Sequence, residues 1–168
     1  MAANVTAQAP APAGTCPQTL DGLAPKLLAD LPSYSNRVIQ RSIVNYQQNP
    51  ISRSYVIIAS QPELDPLPLS QRQYQPAFPD TSEQLFFTLL ERQYATKRVT
   101  QLQSFYWGFF TLTDQGWRLL RLFSQLASTH KNDPPLPPQE VSNGAIGQAI
   151  NLWLRDCNAE GIQSSISN

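Results

Sequence analysis

The sequence predicts an α+β domain in which an antiparallel sheet of about four strands is flanked by an N-terminal helix pair and a C-terminal helix. Three observations carry this expectation. Apolar residues recur at three- and four-residue spacing near both ends of the chain, at Leu20, Leu23, Leu27, Leu28 and Leu31 and again at Ala145, Ile146, Ala149, Ile150, Trp153 and Leu154, the period of a helix with one buried stripe. Between them, residues 55–59, 85–90, 99–113 and 117–126 form runs rich in β-branched and aromatic side chains, the composition of strands. Only short polar segments separate the last three runs, too short for the crossover that parallel pairing needs, so these strands return antiparallel.

At 168 residues the chain has the length of one domain, and we expect a single folded unit over 16–160. Residues 1–15 are Ala/Pro-rich, uncharged and without bulky aromatics, and read as a disordered lead. The lead has neither the basic start nor the apolar stretch of a signal peptide. Met1 is the only methionine, and Met1 followed by Ala2-Ala3 fits a start placed before an already processed export product.

The first helical pattern runs over about 19–44. Pro25 is tolerated near a helix start, whereas Pro32 interrupts the pattern before Tyr34, Val38 and Ile39 resume it. A kinked helix or two consecutive helices follow from that. Asn49-Pro50 ends the pattern, and 55–59 is the first strand. Residues 61–82 hold Pro62, Pro66, Pro68, Pro76 and Pro79, spaced too closely for helix or central strand, and read as a stiff crossing loop.

The meander follows, with turns at 95–98 and at Asp114-Gln115-Gly116. Its alternation predicts apolar side chains on both faces. In the last strand Trp117, Leu119, Arg121 and Phe123 oppose Arg118, Leu120, Leu122 and Leu126; in the middle strand Phe105, Trp107 and Phe109 oppose Tyr106, Phe110 and Leu112. A sheet with one solvated face alternates apolar with polar, so a second cover is expected, either the proline crossing with a helix or a partner protein. Residues 133–138 then form an extended proline linker leading into the last helix. Gly144 and Gly147 in the start of that pattern indicate close backbone packing or a late helix start. The serine-rich end, 161–168, reads as a frayed tail.

Cys16 precedes the first helix and Cys157 ends the last. If the two helices cover one sheet antiparallel, the cysteines are neighbours, and a disulfide closing a loop of about 140 residues would remove roughly 5 kcal/mol of unfolded-chain entropy. Two separate buried thiols, or a lipid anchor on Cys16, are the other readings of the same residues.

Composition excludes several functions. Twelve basic residues balance twelve acidic ones, and charged residues are only 14% of the chain, which disfavours a phosphate-backbone binder. No apolar run is long enough to span a bilayer. The single histidine, His130, sits in a polar segment rather than beside an orienting acid. One histidine and two distant cysteines do not make a zinc site, and no strand leads into a glycine-rich phosphate loop. Asp80, Glu83, Asp156 and Glu160 stand outside apolar surroundings that would raise a carboxyl pKa. Glu91, embedded in a strand, is expected to pair across strands with Arg118 or Arg121. No catalytic residue, metal or cofactor is expected.

The remaining signal is the basic aromatic meander. Between Arg72 and Lys131 seven basic residues stand against four acidic ones, and Arg92, Arg98, Trp107, Arg118 and Arg121 form a candidate interaction surface of arginines among aromatics. An RNA-recognition sheet also exposes aromatics, but its glycine pattern is not matched, so no nucleic acid is expected. The segment 31–41 (LPSYSNRVIQR), entered through Cys16-Pro17 and followed by an aromatic meander and a cysteine-ending helix, resembles exported proteins of unassigned function found in cyanobacteria. The resemblance spans 16–160 and implies a compartment, periplasm or thylakoid lumen, without residue roles. The expected function is a non-enzymatic accessory or protein-binding module there, in reach of a membrane complex. The alternative is a small-ligand carrier or enzyme whose pocket between sheet and helices is lined by Tyr94, Tyr106, Trp107 and Trp117, with Arg92 or Arg118 pointing inward.

Overall fold

The structure, a computed structural model, describes residues 15–44, 53–60, 62–64, 82–95, 97–127, 132–134 and 136–166. The N-terminal lead up to residue 14, most of the proline crossing, and His130 lie outside these residues.

Helix α1 spans Leu20–Val44 without a break, so one helix stands where the sequence suggested a pair. Each internal proline removes a backbone donor and strains the preceding turn, at about 3 kcal/mol. The buried stripe runs straight through both of them: Leu23, Ala24, Leu27, Leu31, Ser35 and Val38 are all buried. Each fully buried leucine contributes roughly 1.5–3 kcal/mol, and breaking the helix at Pro32 would misalign the stripe on either side.

Strands β1 (Arg53–Ala59), β2 (Glu83–Ala95), β3 (Arg98–Thr113), β4 (Gly116–Leu126) and β5 (Gln139–Glu140) form one antiparallel sheet in chain order. Helix α2 (Ala145–Ile166) follows. The fold is therefore α+β as expected, with a fifth strand of two residues. That strand was illegible because it follows directly on prolines and is held by neighbours rather than by its own pattern. The Val141 N–H donates to the Leu122 carbonyl at 2.8 Å, and the Leu122 N–H donates to Ser142 Oγ at 2.9 Å. The proline linker is itself fastened to β4, since Gln125 Nε2 donates to the Leu136 carbonyl at 2.7 Å.

The turn between β3 and β4 is Asp114-Gln115, and Thr113 pairs with Gly116. Gly116 has φ 104°, a backbone conformation that side-chain-bearing residues seldom adopt. A Cβ there would also collide with the Asn158 amide. At the start of α2, Gly147 lies so close to the Ser142 carbonyl that a Cβ would overlap it. Close backbone packing is thus the explanation that holds for Gly147, which lies inside the helix, while Gly144 precedes its first residue, Ala145.

Leu120 is an extra residue in β4: Arg121 pairs with Phe109 and Leu119 with Phe110. This bulge corrects the expected alternation. Trp117, Leu119 and Leu122 share one face with Tyr106 and Phe110, while Arg118, Arg121 and Phe123 share the other with Trp107 and Phe109. The first face is the core. Leu85, Phe87, Leu89, Tyr106, Phe110, Trp117 and Leu122 are buried there against the stripes of α1 and α2.

Two asparagines seat the helices on the sheet edges. Asn36 of α1 accepts from the Val56 N–H at 2.8 Å and donates to the Val56 carbonyl at 3.0 Å. Asn158 of α2 does the same for Trp117 of β4, at 3.0 Å in each direction. A side-chain amide thereby occupies the place of a neighbouring strand. Cys16 and Cys157 form a disulfide with Cα atoms 5.1 Å apart, joining the entry of α1 to the second half of α2.

Candidate functional site

The sheet face turned away from both helices is the candidate site. It is built on a three-strand rung in which Phe86, Trp107 and Phe123 stand opposite one another, with Glu140 of β5 next to Phe123. Phe109 and Arg121 form the adjacent rung, with Phe105 on the far side of Trp107. The aromatic side chains are half-buried and touch: Phe86 lies 6.2 Å from Phe105 and 5.6 Å from Trp107, and Phe109 meets Phe123 edge to face at 6.1 Å. The result is two ring clusters, Phe86 with Phe105 and Trp107 and Phe109 with Phe123, set side by side where Trp107 pairs with Phe123.

Arginines share this face, Arg118 and Arg121 beside Phe109 and Arg92 two rungs beyond Phe105. Arg121 lies 3.6 Å from Glu140. The Glu140 carboxyl is held below its usual range, first by the Ser142 hydroxyl and then by Arg121. Arg118 donates to Gln115 Oε1 at 3.0 Å and to no other described residue. Further along the face Arg92 reaches the Tyr94 hydroxyl at 3.5 Å, and its Nε is buried with no hydrogen-bond partner among the described residues. Tyr94 packs edge to face on Tyr55 at 5.9 Å. An arginine nitrogen buried without an acceptor is costly.

The structure thus gathers Arg92, Trp107, Arg118 and Arg121 on one face. Arg98 is placed differently, because it pairs with Ala95 in the register of the opposite face, at the exposed hairpin end. Sequence reasoning missed Phe86 and Phe123 as members of the site; the bulge at Leu120 carries Phe123 there.

The residues proposed to line a sheet–helix pocket separate. Tyr94 and Trp107 lie on the aromatic face, as do Arg92 and Arg118, so neither arginine points inward. Trp117 is buried, and its indole donates to the Pro17 carbonyl at 2.7 Å. Only Tyr106 borders a cavity between sheet and helices, of about 320 Å³. Glu91 is there too, and after burial its charge is what pushes the Tyr106 phenol above its ordinary value. It pairs with neither Arg118 nor Arg121, because β3 separates β2 from β4 and those arginines occupy the other face.

A second cavity of about 330 Å³ lies between the helices beside the disulfide, bordered by Lys26, Asp30, Tyr34, Trp153 and Asp156. Its acids have structural partners. Trp153 Nε1 donates to Asp30 at 2.8 Å and the Tyr34 hydroxyl to Asp156 at 2.8 Å. The latter bond, with Arg155, holds the Asp156 carboxyl below its ordinary value. Among the described residues no group of His, Cys, Asp and Glu could hold a metal ion, and no helix is long and apolar enough to cross a membrane. No protein-family model, no curated protein and no solved structure matches this chain.

Proposed function

We propose that this chain is a non-enzymatic binding module of an exported compartment, periplasm or thylakoid lumen. Its aromatic sheet face receives a partner protein that presents an apolar surface bearing carboxylates. The observation that carries this reading is the composition of that face: a band of half-buried rings with Arg118 beside it and Arg92 further along the same face, neither paired with an acid among the described residues. Aromatic and arginine side chains dominate binding energy at protein interfaces, and Arg92, Arg118 and Arg121 against Glu63 and Glu140 leave this face with an excess of positive charge among the described residues, which sets the sign of the partner's surface. The disulfide supports an oxidising compartment. The non-enzymatic part rests on the acids bordering the inter-helix cavity, each tied to a structural hydrogen bond.

The test is copurification from the exporting cell of wild type against Arg92→Glu and Trp107→Ser. The reading expects a discrete acidic partner with wild type, lost at least tenfold in either variant while the disulfide and circular dichroism spectrum stay intact. A partner retained equally by both variants, or none with wild type, overturns it.

A further inference from the structure

The β2–β3 hairpin reaches past the end of β4. Residues 98–102 of β3 are paired with β2 on one side and with no described strand on the other. Among the described residues the last hydrogen bond from the β4 side runs from the Ala127 N–H to the Gln103 carbonyl, at 2.9 Å, and Gln125 is already fastened to Leu136. Peptide groups alternate sides along an antiparallel strand. Because those of Gln103 point toward β4, those of Gln101 and Val99 point the same way, and their N–H and C=O groups have no partner among the described residues. Other outward-facing edge groups are taken up, Val56 by Asn36, Trp117 by Asn158, and Leu122 by Val141 and Ser142. An open stretch of edge is a template for another strand.

This stretch complements itself in one register. With a two-fold axis at Thr100, Val99 of each copy stands opposite Gln101 of the other, and each such pair exchanges two hydrogen bonds, which uses every open group of Val99 and Gln101. An axis at Gln101 would need the Gln103 carbonyl, which Ala127 occupies. An axis at Val99 would set Gln101 against Lys97, which lies in the turn and outside β3. At Thr100 the opposed side chains also agree: threonine meets threonine, and Arg98 meets Leu102, so no like charges face each other. Val99, 61% exposed in the single chain, gains cover. The chain's formal net charge of zero adds no long-range repulsion between copies.

We propose that the open edge of β3 docks a second copy of this chain, joining the two sheets into one across a two-fold axis at Thr100. Directly opposed residues of an antiparallel pair share a face. Val99 and Gln101 pair with Tyr94 and Arg92 in the register of the aromatic face, so the dimer carries both aromatic faces on the same side. Pairing over so short an edge falls below the size of standard interfaces, which makes the association reversible. It rests on the edge alone and stands independently of the reading of the aromatic face.

The experiment follows the full disulfide-bonded protein from micromolar to millimolar concentration by sedimentation equilibrium and by backbone amide NMR. A reversible monomer–dimer equilibrium is expected, with concentration-dependent amide shifts centred on residues 98–103. Proline is tolerated on an edge where its N–H would face outward, so Gln101→Pro is expected to weaken dimerisation at least tenfold with an unchanged circular dichroism spectrum. Trp107→Ser is expected to leave the dimer intact, which separates failure of this edge from failure of the aromatic face. A protein monomeric up to millimolar concentration, a dimer that Gln101→Pro leaves as strong, or shifts that map to the helices or to the rings around Trp107 overturns the proposal. Dilution of wild type with its shift map decides the matter even if Gln101→Pro does not fold.

Discussion

Asn36 and Asn158 complete the outer edges of β1 and β4 with side-chain amides, each through two hydrogen bonds. Replacing either by Ala leaves a backbone donor and acceptor unpaired. The expected loss is about 1–3 kcal/mol per variant, read from urea unfolding, with Asn36→Asp also destabilising because it removes the donor. Neither role was legible beforehand, since an asparagine in a helical pattern looks like any solvated position. Tyr106 makes a second residue-level prediction. Burial first, and then Glu91, pushes its phenol well above the ordinary value of 10.0. The unfolded chain gives up this proton near pH 10 while the folded chain keeps it. The stability linked to the site is therefore full below about pH 10 and falls as pH rises further. Ultraviolet titration of the phenolates should show one tyrosine ionising only on alkaline unfolding, and Tyr106→Phe should flatten that part of the stability profile.

The legible elements were those with a strong period of their own. The stripe of α1, the stripe of α2 and the aromatic β3 were evident because burial imposes 3.6- or two-residue repeats on them. What escaped were features imposed by neighbours. Pro32 looked like a break, yet the core on both sides holds α1 continuous. Strand β5 has two residues and no pattern. The bulge at Leu120 reverses the facing of half of β4 relative to simple alternation, and it decides which aromatics reach the candidate site. If one continuous α1 carries the core, Leu27→Ala, at a position of 0% exposure, costs about 2–5 kcal/mol. An exposed substitution on the same helix, Arg41→Ala, should change stability by less than about 0.5 kcal/mol. Equal effects in denaturant unfolding would contradict this account of the helix.

For the molecule as a whole, the disulfide and the aromatic face together define the account. The pairing of Cys16 with Cys157 followed from placing both helices on one sheet face, and the 141-residue separation makes it a clamp on the entire domain. Replacing both cysteines by Ser should lower stability by about 2–5 kcal/mol, seen as a lower melting temperature with the secondary structure retained. The aromatic face was only half legible: composition pointed to arginines among aromatics, but pairing register was needed to bring Phe86, Trp107 and Phe123 onto one rung and to set Arg98 apart. Its proposed role is tested most directly by placing a photo-crosslinking amino acid at Thr111, beside Arg118 on the aromatic face, and in parallel at the exposed Gln148 of α2, in protein expressed in its source cell. The account predicts one discrete, acid-bearing protein adduct from position 111, abolished by Arg92→Glu, and none from position 148. The same adducts from both positions, or none from position 111, would contradict it.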